Sequence, residues 1–132
     1  MKLNDSLFDS IERDALNSER KRMHFDLRDG TDEQSQRMLN VLEPDTIIPI
    51  HRHTMTSEVV VVLRGKVEEV YYDEHGNQTE SIIMEAGGET PGCVVAKGRW
   101  HTCKCITPGS VIFEAKATAY DPHTTEEILN LI

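Results

Sequence analysis

Basic residues are in short supply in this sequence: 14 lysines and arginines stand against 23 aspartates and glutamates, a net charge of −9. Nucleic acid and anionic membrane both require a basic face, so neither is an expected partner. The same charge repels large polyanions and leaves room only for a local Arg/Lys pocket holding one phosphate. Long hydrophobic runs are missing too: no window approaches the ~18 apolar residues that a membrane span needs. The opening residues MKLNDSLFDSIERD are too acidic and polar for a secretory signal, so a cytoplasmic protein is expected. Cysteines number three (Cys93, Cys103 and Cys105), with no C-x-x-C spacing. An odd count without a signal reads as reduced thiols rather than a disulfide framework. Internal repeats and low-complexity linkers are absent, and 132 residues fit one domain with a modest core.

What is present is one helical stretch followed by many short strands. Leu3, Leu7, Phe8, Ile11, Ala15 and Leu16 recur at helical spacing, with Asn4, Asp5 or Ser6 placed to cap the start. Residues 1–34 read as this helix and a connecting arm. From residue 35 to 120 the pattern is β-branched and apolar runs broken by Gly/Pro turns every ten or so residues. This predicts an all-β body, a small barrel or jelly roll. Residues 121–132 read as a tail with a short helix, since Thr124 and Glu127 have capping-box spacing.

One segment stands out chemically. In PIHRHTMTSEVVVVLRG, His51 and His53 lie two apart and share a face if the segment is a strand. Glu58 follows a polar stretch that reads as a tight loop, so the chain can return beside the histidines. Downstream, AKGRWHT supplies His101 just after a glycine turn. Three imidazoles and one carboxylate suit a borderline divalent metal such as Zn, Fe, Mn or Ni. Four protein ligands leave one or two positions open if the ion is five- or six-coordinate, and an open position lets a metal act on substrate. A lone H-x-H is usually a solvated pair; the acid, the glycine and the distant histidine together favour a site. His75 and His123 read as exposed, and His24 stays unassigned.

Strand parity fills in the surroundings. Cys103 and Cys105 share a face with His101, where free cysteine is commonly a small buried hydrophobe. Val60 and Val62 follow Glu58 inward, while Val59, Val61 and Leu63 point outward. A strand apolar on both faces is covered on both, so the helix or a second subunit must lie outside, and a homodimer is expected. Glu114 is a candidate hydrogen-bond partner for a ligand histidine, a Glu–Lys surface pair being the alternative. Trp100 should face away from the metal. Tyr71, Tyr72 and Tyr120 could stack on a sugar, although strand aromatics more often pack.

The motif residues carry a family resemblance. HRHTMTSEVVVVLRG matches the first cupin motif, H-x-H-x4-E-x6-G, at His51, His53, Glu58 and Gly65, and AKGRWH matches the second at Gly98 and His101. With the flanking segments QRMLNVLEPDTIIPIHRH, VVLRGKVEEVYYDEHGN and VIFEAKATAYDP, residues 20–122 resemble the WbuC family of cupin-fold metalloproteins. The resemblance implies a cupin barrel, a metal on His51, His53, Glu58 and His101, and a link to bacterial O-antigen and surface-polysaccharide metabolism. Three positions depart from the general motifs: Asp45 stands for glycine, Ala96 for proline and Cys105 for asparagine.

Two function classes follow. One is a metal-dependent enzyme on a small polar molecule such as a sugar or nucleotide sugar. It would be an isomerase or epimerase using a Lewis-acid metal or, with Fe(II), a dioxygenase like other cupins. An isomerase also needs a base, and the sequence places none near the site. The other class is a noncatalytic sensor or ligand-binding module.

Overall fold

The computed structural model describes residues 1–121 and 125–128. Helix α1 (Asp5–Leu16) starts where Asn4 accepts the Leu7 amide on its side-chain oxygen, at 3.1 Å. Its apolar positions Phe8, Ile11 and Ala15 fall on one face and are buried. Ten strands follow: β1 (Arg22–Asp26), β2 (Gln36–Leu42), β3 (Ile50–His53), β4 (Glu58–Arg64), β5 (Lys66–Tyr72), β6 (Gln78–Glu85), β7 (Gly92–Val95), β8 (Trp100–Cys105), β9 (Ser110–Lys116) and β10 (Thr125–Ile128).

The strands form two antiparallel five-stranded sheets, ordered β1-β2-β9-β4-β7 and β10-β3-β8-β5-β6. They face each other as a jelly-roll-like sandwich. The expected all-β jelly roll is present, but as two sheets with free edges rather than a closed barrel. Val60, Val62, Val67, Tyr71, Met84 and Ile112 fill the space between them. A second core lies outside the first sheet, where Phe8, Ile11 and Ala15 of α1 pack on Leu39, Val41 and Val111. The helix therefore covers β1 and β2, reaches Val111 of β9 and meets β4 through Arg64, leaving the outer faces of Val59 and Leu63 on β4, and β7, uncovered. There Val59, Leu63 and Val94 remain 41%, 39% and 66% exposed.

Two assignments change. The arm after α1 contains a true strand: β1 pairs with β2 from Arg22↔Leu42 to Asp26↔Met38. Its pattern is inverted relative to an ordinary strand, because Met23 and Phe25 pack under the helix while Arg22 and His24 line the cavity between the sheets. The tail is not helical where it is described: Thr125–Ile128 pairs with β3 as an antiparallel strand, Thr125 opposite His53 and Ile128 opposite Ile50. The edge of β3 offers unpaired backbone groups, and satisfying them outweighs a four-residue capping signal. Thr124 of that signal, and His123, lie outside the described residues.

Candidate metal centre

Strand register assembles the site. His51 of β3 sits opposite His101 of β8, which in turn sits opposite Tyr71 of β5. In the facing sheet, Glu58 of β4 is opposite Lys116 of β9. Alternation then turns His51, His53, His101, Glu58 and Lys116 into the space between the sheets. Gly98, with φ +79, makes the turn before β8, and its amide donates to the His53 carbonyl at 2.8 Å, tying that turn to β3. The Ala96 departure is harmless here, since the Arg99 amide still closes the turn on the Ala96 carbonyl at 3.1 Å. The turn containing Asp45 is closed in the same way, by the Thr46 amide on the Glu43 carbonyl at 2.9 Å.

The ligand atoms of His51, His53 and His101 lie within 4.8 Å of one another, a spacing at which three histidines can hold one metal ion. Their tautomers favour it. Nδ1 of His51 is 2.8 Å from the Pro49 carbonyl, and Nδ1 of His101 is 2.8 Å from the Arg99 carbonyl. A carbonyl only accepts, so both Nδ1 atoms carry the proton and both Nε2 atoms keep a lone pair. Nε2 of His101 is buried and has no hydrogen-bond partner. A buried polar atom without a partner is costly, and an ion between the rings would supply one. Glu58 lies beside this three-histidine cluster, its carboxyl 3.5 Å from His53 Nε2 and 3.8 Å from His101 Nε2. The donor set of three neutral nitrogens and a carboxylate fits a borderline divalent cation.

The residues around these four were only partly legible. Lys116, 8% exposed, places Nζ 3.2 Å from Nδ1 of His53. Burial lowers the lysine pKa from its ordinary value. The Thr125 hydroxyl lies 3.4 Å from the same atom. Glu114 does not reach a histidine: it accepts from the Asn40 amide at 2.9 Å and raises the Glu58 pKa by facing that carboxyl. Deeper in, Glu69 is 1% exposed, and burial pushes its pKa well above the ordinary carboxylate range. Nothing in local sequence marks Lys116, Asn40 or Glu69 as inward; only the alternation of Glu114 and Lys116 with Phe113 and Ala115 hints at it.

Cys103 is buried in the core and its thiol is pushed well up by burial, which keeps it out of thiolate chemistry. The Cys105 thiol donates to the Thr107 and Leu42 carbonyls at 3.0 and 3.3 Å. Trp100 lies on the opposite face of β8, under the Arg52 guanidinium at 4.5 Å. Tyr71 is core, whereas Tyr120 lines the cavity.

That cavity measures about 380 Å³, within the range of small-metabolite sites. His51, His53 and Glu58 form one wall, with Glu114 and Lys116 beside them, and His101 lies beneath at 3% exposure.

The buried groups make stability pH-dependent. Burial, reinforced by Lys116 for His53 and by His51 for His101, pushes both imidazoles down to about 3 from 6.5. Below pH 6.5 the unfolded chain therefore binds more protons, and stability falls as pH drops through that window. Burial pushes Glu58 up to about 8 from 4.5, so above pH 4.5 the folded state holds a proton that the unfolded chain has released. Stability then falls as pH rises. Between pH 4.5 and 6.5 the two imidazoles outweigh the one carboxyl, so metal-stripped protein is expected to show its highest Tm near pH 6.5. A Tm that climbs steadily to pH 8 would contradict these environments.

Comparison with known proteins places this geometry. Capsular polysaccharide assembling protein CapF from Staphylococcus aureus superposes with a TM-score of 0.66 at 16% identity, over 85% of this chain and 33% of that one. ChmJ, a 3′-monoepimerase from Streptomyces bikiniensis solved in complex with dTDP, gives 0.63 at 16% identity, over 73% and 52%. Oxalate decarboxylase OxdC from Bacillus subtilis gives 0.61 at 16% identity, over 81% and 28%. The chain thus spans about a third of the length of CapF and less of the decarboxylase. No curated protein matches its sequence significantly. Fold and histidine cluster together define a cupin-fold protein with a candidate metal site. Within that class the chain belongs to the family of the domain of unknown function DUF6016, which matches residues 3–84. The matched segment contains His51, His53 and Glu58 and ends before His101.

Proposed function

We propose that the protein is a metal-binding cupin of the WbuC type that binds or acts on a small polar metabolite, a sugar or nucleotide sugar, in surface-polysaccharide metabolism. The observation that carries this reading is the convergence of three histidine ligand atoms within 4.8 Å, one of them buried and without a hydrogen-bond partner, beside a metabolite-sized cavity. His51, His53, His101 and Glu58 are the proposed ligands of a divalent ion: zinc, iron, manganese or nickel. Bound there, the ion would supply Lewis acidity toward a carbonyl or hydroxyl. The base that local sequence could not place has two candidates, since Glu114 and Lys116 line the same cavity. The printed descriptions of CapF, for capsular polysaccharide assembly, and of ChmJ, an epimerase with dTDP, support a sugar-related role.

The test is a screen of nucleotide sugars, sugar acids and thiols against Zn, Mn and Fe forms. Product formation is the expected result. Melting shifts without product would assign the noncatalytic binding module instead, and neither would sink the reading. The proposal includes a homodimer formed over the exposed Val59, Leu63 and Val94. In sedimentation equilibrium, Val59→Glu with Val94→Glu should yield monomer, and a monomeric parent protein would refute the dimer.

A further inference from the structure

The exposed side of the cavity is not lined at random. It carries Arg20 and Arg22, with His24 beyond them on β1. Five of the other six arginines are neutralised: Arg28, Arg37, Arg52, Arg64 and Arg99 bridge Asp26, Glu33, Glu126, Asp9 and Glu80 respectively, and the sixth, Arg13, sits on α1 away from the cavity. Among the described residues, Arg20 and Arg22 have no carboxylate within salt-bridge distance, although acidic residues outnumber basic ones 23 to 14. In so acidic a chain, two unneutralised guanidinium groups on one cavity lip await a negative partner from outside.

The backbone holds them there at some cost. Lys21, between the two, has φ +53 and is the one non-glycine residue among those described in the left-handed region. Such a conformation persists only where its surroundings enforce it, and it concentrates at ligand sites. Three tethers enforce it. The Lys21 ammonium donates to the Leu16 carbonyl at 2.8 Å, its amide donates to the Ser18 carbonyl at 3.2 Å, and its carbonyl accepts from the Thr46 hydroxyl. The turn after α1 is thereby fixed, and the residues on either side of Lys21 both reach the cavity.

We infer that Arg20 and Arg22 form an oxyanion subsite, so that the ligand carries a carboxylate or phosphate at the end remote from the histidines. Planar guanidinium donors match both anions through paired N–H···O contacts. A local positive lip also admits an anion that the net charge of −9 would otherwise repel. The inference rests on the proposed function only in assigning the ligand's other end to the histidine cluster.

The experiment is calorimetric titration, at low salt, of inorganic phosphate and malonate, with glucose as the neutral control. It uses both metal-loaded and metal-stripped protein. Phosphate or malonate is expected to bind and glucose to bind far more weakly. Arg20→Gln with Arg22→Gln should weaken the anion at least tenfold in both forms of the protein. Arg13→Gln, on the outer helix, should change nothing. Which anion binds more tightly distinguishes a phosphorylated from a carboxylated ligand. Unchanged affinity in the double variant, or no binding of either anion, overturns the subsite. Anion binding that depends on Arg20 and Arg22 in a protein that takes up no metal would support the subsite while sinking the metal reading. Single variants at Arg20 and Arg22 serve if the double variant fails to fold.

Discussion

Replacing His101 with alanine is expected to abolish stoichiometric metal while leaving the sandwich folded. The side chain is 3% exposed and supplies one proposed ligand in four. Losing it should lower affinity by at least about 100-fold, more than the loss of an outer hydrogen-bond partner costs. The apolar contacts between the sheets come from other residues, Val60, Val62, Met84 and Ile112 among them. The change also removes a buried nitrogen that has no partner in the ion-free protein, which offsets part of the small cavity it leaves. Elemental analysis beside a thermal melt separates the two effects. A full metal complement in a folded variant would refute the ligand assignment. Removing His51 and His53 together should be more severe still.

Gly65→Val should instead leave the site's chemistry alone and unfold the protein more easily. Gly65 has φ +84, and a Cβ there would lie 2.3 Å from the Ser110 hydroxyl and 2.9 Å from the Ser110 Cα. The first conflict is conformational, about 1–2 kcal/mol for a left-handed L-residue. The second is steric, about 1–3 kcal/mol for overpacking against a position that cannot retreat. Ser110 cannot retreat because its hydroxyl accepts the Lys66 amide at 3.0 Å and donates to the Thr107 carbonyl at 2.6 Å. A loss of about 3 kcal/mol, or roughly 10 °C in Tm, is expected in a melt. A shift within experimental error would mean that the β4–β5 bend is looser than its geometry indicates.

The motif glycine and the four proposed ligands share a property: their roles follow from local rules. Two histidines two residues apart must share a strand face, and a glycine at a sharp bend declares its own φ. Lys116 obeys the same parity, but its importance comes from register, since only the β4–β9 pairing sets it opposite Glu58. Glu69 is similar, an acid whose pKa is raised by what surrounds it rather than by its neighbours in sequence. Strand β1 was missed because its charged residues face inward and its apolar ones meet a helix, the reverse of the usual pattern. Strand β10 was missed because its partner is 72 residues away at Thr125↔His53, where no local signal can announce it.

That last pairing has a consequence for how the protein is made. Both neighbours of β3 come from the final third of the chain, β8 beginning at Trp100 and β10 at Thr125. Non-local pairings of this kind form late, because a long loop must close before they bring any reward. At translation rates of about 5–20 residues per second, the His51–His53 pair leaves the ribosome roughly 3–10 s before His101 can join it. An ion met in that interval would find two imidazoles on an unpaired strand, a weak and reversible grip. On the proposed ligand set, tight capture would wait for the third ring, and a cation would enter the maturing protein only once β8 has docked.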